Sequence, residues 1–409
     1  MKTMEDESVY EMIKDEFEKS GIFKDESKLL PDYVPEKLPH REEQLRLLAR
    51  LFRVLLKSPG AISQKVIIIG NVGTGKTAVS KRFGLWFERF AHEKGINFRY
   101  IHINCHKDRT LFLILNRIID KLSAGMPKRG LSPYEMMHMV KDYLKKNDIY
   151  LLITLDEVNF LLRSSGEDVL YDIIRITEEE EEGEHRFSYI FISRDLSVFE
   201  TLDRSITSSL MHNVIKFPPY TAAQIYDILY ERAKEAFLPG TVNSEVLKLI
   251  SEITGIDKGG SGDARYALEL LWRAGKYAEN EGKNKVTLEH VRRAKQDTHP
   301  IISSDLLDGL NRHEKLLLLA IARCLVKYEK AMIPFGLVER EYRIVCEEWN
   351  TRPRKHTQVW EYLQNLKNSG IIMTEISGVG YRGKTTLISL QDVPAKVLEK
   401  YLVENLKRR

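Results

Sequence analysis

Cysteine is scarce in this chain. Three occur in 409 residues, Cys105, Cys324 and Cys346, widely spaced and without a C-x-x-C pair, which excludes a disulfide framework and offers no zinc-site spacing. Their expected place is buried apolar packing in a reducing compartment. A strong net charge is lacking too. Charged residues make up 30% of the chain yet cancel to +4, so the protein as a whole is no polybasic wrapper and any basic surface is local. The part after Pro300 holds a surplus of about five positive charges, which makes the C-terminal end the one expected to face a polyanion. No apolar run approaches the ~18 residues of a membrane span, and the acidic N-terminus MKTMEDESVYEMIKDEF has no apolar signal core. The expectation is an intracellular, cytoplasmic protein with no membrane partner. Internal repeats are absent, and the acidic run 178–184 reads as a solvated helix end and loop.

What is present is one spelling used twice. "GNVGTGKT" at 70–77 and "GVGYRGKT" at 378–385 both satisfy the phosphate-loop pattern G-x-x-x-x-G-K-[ST]. The pattern acts only where a strand leads in and a helix leads out, so that backbone N–H groups and a helix N-terminus converge on phosphate. Upstream of the first match stands Lys65-Val66-Ile67-Ile68-Ile69, a short β-branched run suited to a buried strand. Downstream, Val79, Phe83, Trp86, Phe87 and Phe90 recur at helical spacing until Gly95. The second match lies between "IIMTEIS" and "TTLISL", with Pro394 soon after, and reads as a hairpin. A hairpin tip has no helix dipole, so nucleotide is assigned to the first match.

From about 40 to 217 strands and helices alternate, as in a parallel sheet covered by helices. Strands are expected at "NFRYIHINC", "IYLLITLDE" and "SYIFISR", with helices at "TLFLILNRIIDKLS", "PYEMMHMVKDYLKKN" and "DVLYDIIRITEEE". After Phe217-Pro218-Pro219 the text is helical only, and after "DTHPIISSD" three helices precede the glycine-tipped hairpin. The expected division is an N-terminal helical or extended segment 1–39, an α/β unit 40–217, an all-helical unit 218–300 and a winged helix 301–409.

Within the α/β unit, Gly70 and the backbone of Val72, Gly73, Thr74 and Gly75 are the expected phosphate donors. Lys76 would neutralise the β- and γ-phosphates, and the Thr77 hydroxyl would ligate Mg²⁺. "LLITLDE", about eighty residues on, supplies the acid that such a site needs at a buried strand end: Asp156 as the second Mg²⁺ ligand, Glu157 to orient the attacking water.

Together, this phosphate loop, the "DE" strand and a helical unit carrying "GDAR" resemble an AAA+ ATPase. More narrowly, "IFKDESKLLPDYVPEKLPHREEQ" (22–44), "LDEVNFLL" (155–162), "FISRDLSVFETLD" (191–203) and "GDARYALELL" (262–271), followed by a winged helix, resemble the archaeal origin recognition complex / cell division control replication initiators. The resemblance runs through nearly the whole chain. It implies a nucleoid-associated initiator that binds duplex origin DNA under ATP/ADP control and helps recruit or load the replicative MCM helicase, with a paralogous initiator as a further partner on adjacent DNA. It places Tyr33, Pro35 and Arg41 at the adenine pocket and Arg265 at the second sensor. Arg194 stands where the family usually has Asn at the first sensor. The arginine finger, in an Asp-Pro-Arg stretch in the family, corresponds to Arg204 in Asp203-Arg204-Ser205, displaced by one place. The expectation is slow ATP turnover with tightly held nucleotide. Two alternatives stay open: a nucleotide-gated regulator or replication-restraining paralogue on the same fold, and a ring-forming branch-migration motor, which also ends in a winged helix.

DNA contacts are expected in two places. The turn "SAGMPKRGLS" occupies the position of the initiator-specific insertion, with Lys128 and Arg129 as phosphate contacts. "TRPRKHTQ" opens the third helix of the last unit, where donors and helix dipole both favour an anion. Arg352, Arg354, Lys355, His356, Thr357 and Gln358 lie there, Thr357 and Gln358 within reach of base edges and Arg352 and Lys355 on phosphates. The hairpin tip adds Gly380, Tyr381, Arg382, Gly383 and Lys384. Trp360 and Leu363 are read as core.

Overall fold

A computed structural model describes residues 21–122, 125–127, 130–166, 168–178, 185–200, 207, 210–297, 307, 309–328, 330, 332–376, 385–390 and 395–407. The chain forms two compact units, Met1–Ala294 and Lys295–Arg409. Among the described residues no helix is long and apolar enough to cross a membrane.

The first unit begins with α1 (Glu42–Lys57), β1 (Lys65–Ile69), α2 (Lys76–Glu93) and β2 (Phe98–Asn104), continuing through α3 (Leu111–Leu122), α4 (Pro133–Lys146) and β3 (Tyr150–Asp156). Then come α5 (Val158–Ser165), α6 (Asp168–Glu178), β4 (Phe187–Ser193), α7 (Ser197–Glu200) and β5 (Val214–Lys216). The strands form one sheet in the order β2-β3-β4-β1-β5, and every pairing is parallel. Alternation along the strands splits their side chains between two layers. Val66, Ile68 and Leu152 pack with α1 and α2 through Leu48, Phe52, Phe83 and Phe87. Ile67, Ile153 and Leu155 pack on the opposite face with Ile114, Ile118 and Leu170. That period-2 division is what both-face burial of a parallel sheet requires. On α2, Val79, Phe83 and Phe87 are buried, whereas Trp86 and Phe90 are about half exposed.

The helical part of the same unit contains α8 (Ala222–Ala236), α9 (Ser244–Thr254), α10 (Ala264–Asn280) and, up to Ala294, α11 (Leu288–Asp297). Each of the first three starts on a side-chain cap, Thr221, Asn243 and Asp263 respectively, which satisfies orphan N–H groups at about 1 kcal/mol each. Leu229, Ile250, Leu270 and Leu271 form their common core. The segment 21–41 is strapped to these helices: Phe23 bridges Phe237, Arg232 donates to the Lys28 carbonyl at 2.9 Å, and Arg82 on α2 donates to the carbonyls of Val34 and Pro35.

The second unit contains α12 (Arg312–Tyr328), β6 (Ile333–Pro334), α13 (Phe335–Glu348), α14 (His356–Asn368), β7 (Ile372–Ile376), β8 (Thr386–Leu390) and α15 (Ala395–Lys407). Helix α12 is buried along most of its length, from Glu314 to Ala322, and so forms the centre of its unit. The sheet is antiparallel, in the order β6-β8-β7. Three helices and a hairpin thus stand as read, with α15 as an unforeseen fourth helix. Trp360 corrects the sequence reading: Leu363 is fully buried, but Trp360 is 37% exposed and packs edge-on against Phe335 at 5.2 Å. Val359, Leu363 and Leu366 define the inward stripe of α14, and Trp360 lies one position off it.

Candidate functional site

In the first unit β1 runs into Gly70 and α2 starts at Lys76, so the loop 70–75 turns from strand to helix N-terminus. Gly75 caps α2 with φ +87°, a left-handed conformation that glycine adopts at no steric cost. Gly73 is fixed by its neighbour as well: a Cβ there would lie 1.6 Å from Asp263 Oδ1. Asp263 caps α10 through the N–H groups of Arg265 and Tyr266, and the Ala264 N–H donates to the Gly73 carbonyl at 3.2 Å. The first turn of α10 is therefore bonded directly to the phosphate loop.

The Lys76 ammonium donates to the carbonyls of Gly70 (2.6 Å) and Asn71 (2.7 Å). Burial pushes it down to about 8; the Asp156 carboxylate opposes that shift, and Arg194 and Arg265 reinforce it. Asp156, at the end of β3, is 3% exposed. It accepts a 2.7 Å hydrogen bond from Thr77 and faces His102 Nε2 at 3.4 Å. Burial raises its carboxyl, but the bonds from His102 and Thr77 and the Lys76 charge outweigh burial and hold it below the usual carboxylate range. Glu157 is shifted the other way: burial and the Asp156 charge raise it against the pull of Arg194, Arg265 and Lys76. It also carries φ +58° and ψ +47°, uncommon for a residue with a side chain. The two adjacent carboxyls are thus shifted in opposite directions by their surroundings.

One cavity is lined by Val72 to Thr77, Asp156, Glu157, Arg194 and Arg265, and also by Tyr33 and Pro35 of the strap. Tyr33 donates to Glu235 at 3.1 Å, and its ring faces Lys28 and Arg232. Arg41 lies behind the loop, 2% exposed. It donates to the carbonyls of Thr74 (2.9 Å), His40 (2.9 Å) and Pro218 (2.7 Å), with the Tyr220 ring 3.8 Å away. It thus ties the strap, the phosphate loop and the Pro218–Tyr220 stretch together. Sequence reasoning overlooked His102, Tyr220 and the cap at Asp263. An Asp two residues before Arg265 and just after Gly262 is a legible cap signal; His102 and Tyr220 carried none.

The Thr77 hydroxyl and the Asp156 carboxylate are hard oxygen donors, as Mg²⁺ prefers.

In the second unit α14 begins after Lys355 with no side-chain cap, leaving its first N–H groups to solvent or a ligand. Arg352, Arg354, Lys355, His356, Thr357 and Gln358 are all exposed around that terminus. His356 pairs with Glu339 at 3.0 Å and Arg354 with His313 at 3.1 Å. The side chains of Arg352 and Lys355 make no hydrogen bond or ion pair among the described residues. Arg204, Lys128, Arg129, Gly380, Tyr381, Arg382, Gly383 and Lys384 lie outside the described residues.

Fold and cavity together define a class: a P-loop protein of AAA type, with a helical part seated on the loop and a separate winged-helix unit. Comparison with known proteins agrees. Residues 63–200 match the AAA domain, 226–296 the Cdc6 AAA+ ATPase-type lid domain, and 305–400 the CDC6 C-terminal winged helix domain. The chain is 42% identical to ORC1-type DNA replication protein 2 of Sulfurisphaera tokodaii, over 98% of this chain and 96% of that one. It is similar to the ORC1 protein of Aeropyrum pernix, solved in complex with DNA (32% identity, TM-score 0.72, 94% of this chain and 98% of that one). It is also similar to the ORC2 protein of the same organism, solved as ADPNP-ADP complexes (26%, TM-score 0.72, 95% and 99%). The chain belongs to the ORC1-type family of DNA replication proteins, the archaeal Orc/Cdc6 AAA+ initiators.

Proposed function

We propose that this chain binds origin duplex DNA under the control of ATP or ADP and helps recruit or load the replicative MCM helicase, with a paralogous initiator on adjacent DNA as a further partner. Its parts are the α/β unit 40–217, the lid 218–300 and the winged helix 301–409, preceded by the segment 1–39. Nucleotide lies on the loop 70–77, with phosphate on the backbone N–H groups and Lys76, and with the base against Tyr33 and Pro35. Thr77 and Asp156 would hold Mg²⁺, which would supply charge neutralisation for the phosphates. Glu157 orients water, while Arg194 and Arg265 face the γ-phosphate from the sheet and the lid. Arg204 is a displaced finger, so turnover is slow and nucleotide state acts as a switch.

The single observation that carries the reading is the bond from the first turn of α10 to the Gly73 carbonyl, beside the Arg265 that lines the cavity. Phosphate at the loop and the position of the lid are thereby coupled. DNA is gripped by Arg352, Arg354, Lys355, His356, Thr357 and Gln358 at the start of α14, by the hairpin tip, and by Lys128 and Arg129. A footprint on origin DNA against random duplex at moderate salt tests it; equal protection of both sinks the origin-binding reading. The regulator alternative is favoured by Arg194 at the first-sensor position, and a helicase pull-down that recovers no MCM would select it.

A further inference from the structure

The loop 351–355, which leads into α14, is held from below by two consecutive residues at the start of α12. Arg312 donates to Thr351 Oγ1 (3.1 Å) and to the Trp349 carbonyl (3.1 Å). His313 takes the other end: Arg354 Nε donates to His313 Nε2 at 3.1 Å. A guanidinium is always a donor, so Nε2 must be the bare nitrogen and the ring proton sits on Nδ1. Nδ1 then donates to the Tyr342 hydroxyl at 2.8 Å. The Tyr342 side chain is fully buried in α13. The His313 ring lies parallel to Tyr362 of α14, with centroids 5.8 Å apart and planes within 3°. The ring is thus fixed by three elements, and through it the arginine.

We propose that His313 is a positioning residue for duplex recognition: as a neutral acceptor it presets the Arg354 guanidinium at the mouth of α14, so that a DNA phosphate meets an oriented cation. The proposal rests on the reading of this unit as DNA-binding. An arginine ordered before binding loses less side-chain freedom on contact. Among the described residues, the charged and titratable groups facing the ring are Arg312 on its own helix, Arg354 on the loop, Tyr342 on α13 and Tyr362 on α14. Burial and the two arginines hold the imidazole below the usual histidine range, which keeps the acceptor available at neutral pH.

The test uses the full chain and a labelled mixed-sequence duplex at moderate salt. His313→Phe keeps a ring on Tyr362 but removes the acceptor, and His313→Gln returns an oxygen acceptor. H313F is expected to weaken duplex binding about 3- to 10-fold, H313Q to recover most of the loss, and H313F added to Arg354→Ala to change nothing further. A loss of the same size from H313F in the R354A background means that the ring only supports the fold, and overturns the proposal. If R354A is silent while Arg352→Ala and Lys355→Ala weaken binding, the DNA reading stands and this proposal falls. If all three are silent, both fall.

Discussion

Two stretches of this chain spell the same phosphate-loop pattern, and their surroundings oppose each other. At 70–77 a strand inside a parallel sheet passes through a glycine turn into the 18-residue helix Lys76–Glu93. The match at 378–385 falls between β7 and β8, which pair antiparallel from Ile372↔Leu390 to Ile376↔Thr386. The first path gathers N–H groups and a helix dipole on one point. The second lies between antiparallel strands, and the element that follows it is the strand β8 rather than a helix. A phosphate loop is therefore a property of the chain's route before and after the letters, and the residues shared by the two stretches are its least informative part.

The largest expected effect separates the two. Lys76→Ala removes a charge-assisted partner from bound phosphate and should weaken nucleotide retention by about 100-fold, ~3 kcal/mol, with duplex affinity of the nucleotide-free chain little changed. Arg382→Ala with Lys384→Ala should do the reverse, leaving nucleotide retention intact and costing roughly tenfold in duplex affinity at moderate salt. Titration of each variant with a fluorescent ATP analogue and with labelled duplex decides it. A nucleotide defect in the 382/384 variant would erase the distinction.

Within the first stretch, Gly73 carries the next effect. Gly73→Ala brings a Cβ to 1.6 Å from Asp263 Oδ1 at φ +71°, so the α10 cap must move and the alanine stays strained by ~1–2 kcal/mol. Nucleotide affinity should fall about tenfold. Gly73→Ala combined with Asp263→Gly should regain part of it, because the clash goes and the left-handed strain remains. Full recovery in the double variant would show that the close approach alone matters.

That pair also marks how far the sequence could be read. The sheet strands β1 to β4, most of the helices and the hairpin followed from period and punctuation, since each is a local pattern of apolar residues, whereas α1, α5, α7 and α15 were not read. The three-residue β5, Val214–Lys216, was too short to show a period. The resemblance placed Arg41 at the adenine pocket, but it is not among the residues that line the cavity: the fold turns it onto backbone carbonyls of Thr74 and Pro218, residues 33 and 177 positions away. His102 reaches Asp156 because β2 and β3 lie in register, with His102 opposite Thr154. Trp360 misled because an aromatic beside a buried stripe looks like core until its neighbour Phe335 leaves one face in solvent. Contacts between distant segments were the hidden part throughout.

A smaller effect tests the second stretch's companions. Arg352 and Lys355 are exposed cations at the uncapped start of α14, so each substitution by alanine should lower the slope of log affinity against log salt by about 1, while weakening binding nearly uniformly across sequences. An unchanged slope in both variants would remove them from the phosphate contacts. The same measurement on Lys76→Ala should give the wild-type slope, which keeps the two phosphate grips distinct.

The smallest effect concerns pH in the second unit. His313 is depressed first by burial and then by Arg354 and Arg312. Its folded value lies below the unfolded one of about 6.5, so between the two values the unfolded chain binds the extra proton and the fold does not. The contribution of the neutral ring to stability is complete above the unfolded value and is lost as pH falls through the folded one. Arg354→Ala should raise the His313 titration seen by NMR in the full chain only part of the way to 6.5, because burial, the larger cause, is untouched. A midpoint restored completely by R354A would make the arginine's charge, rather than burial, the main cause of the depression. A midpoint that does not move would place Arg354 too far from the ring to be oriented by it.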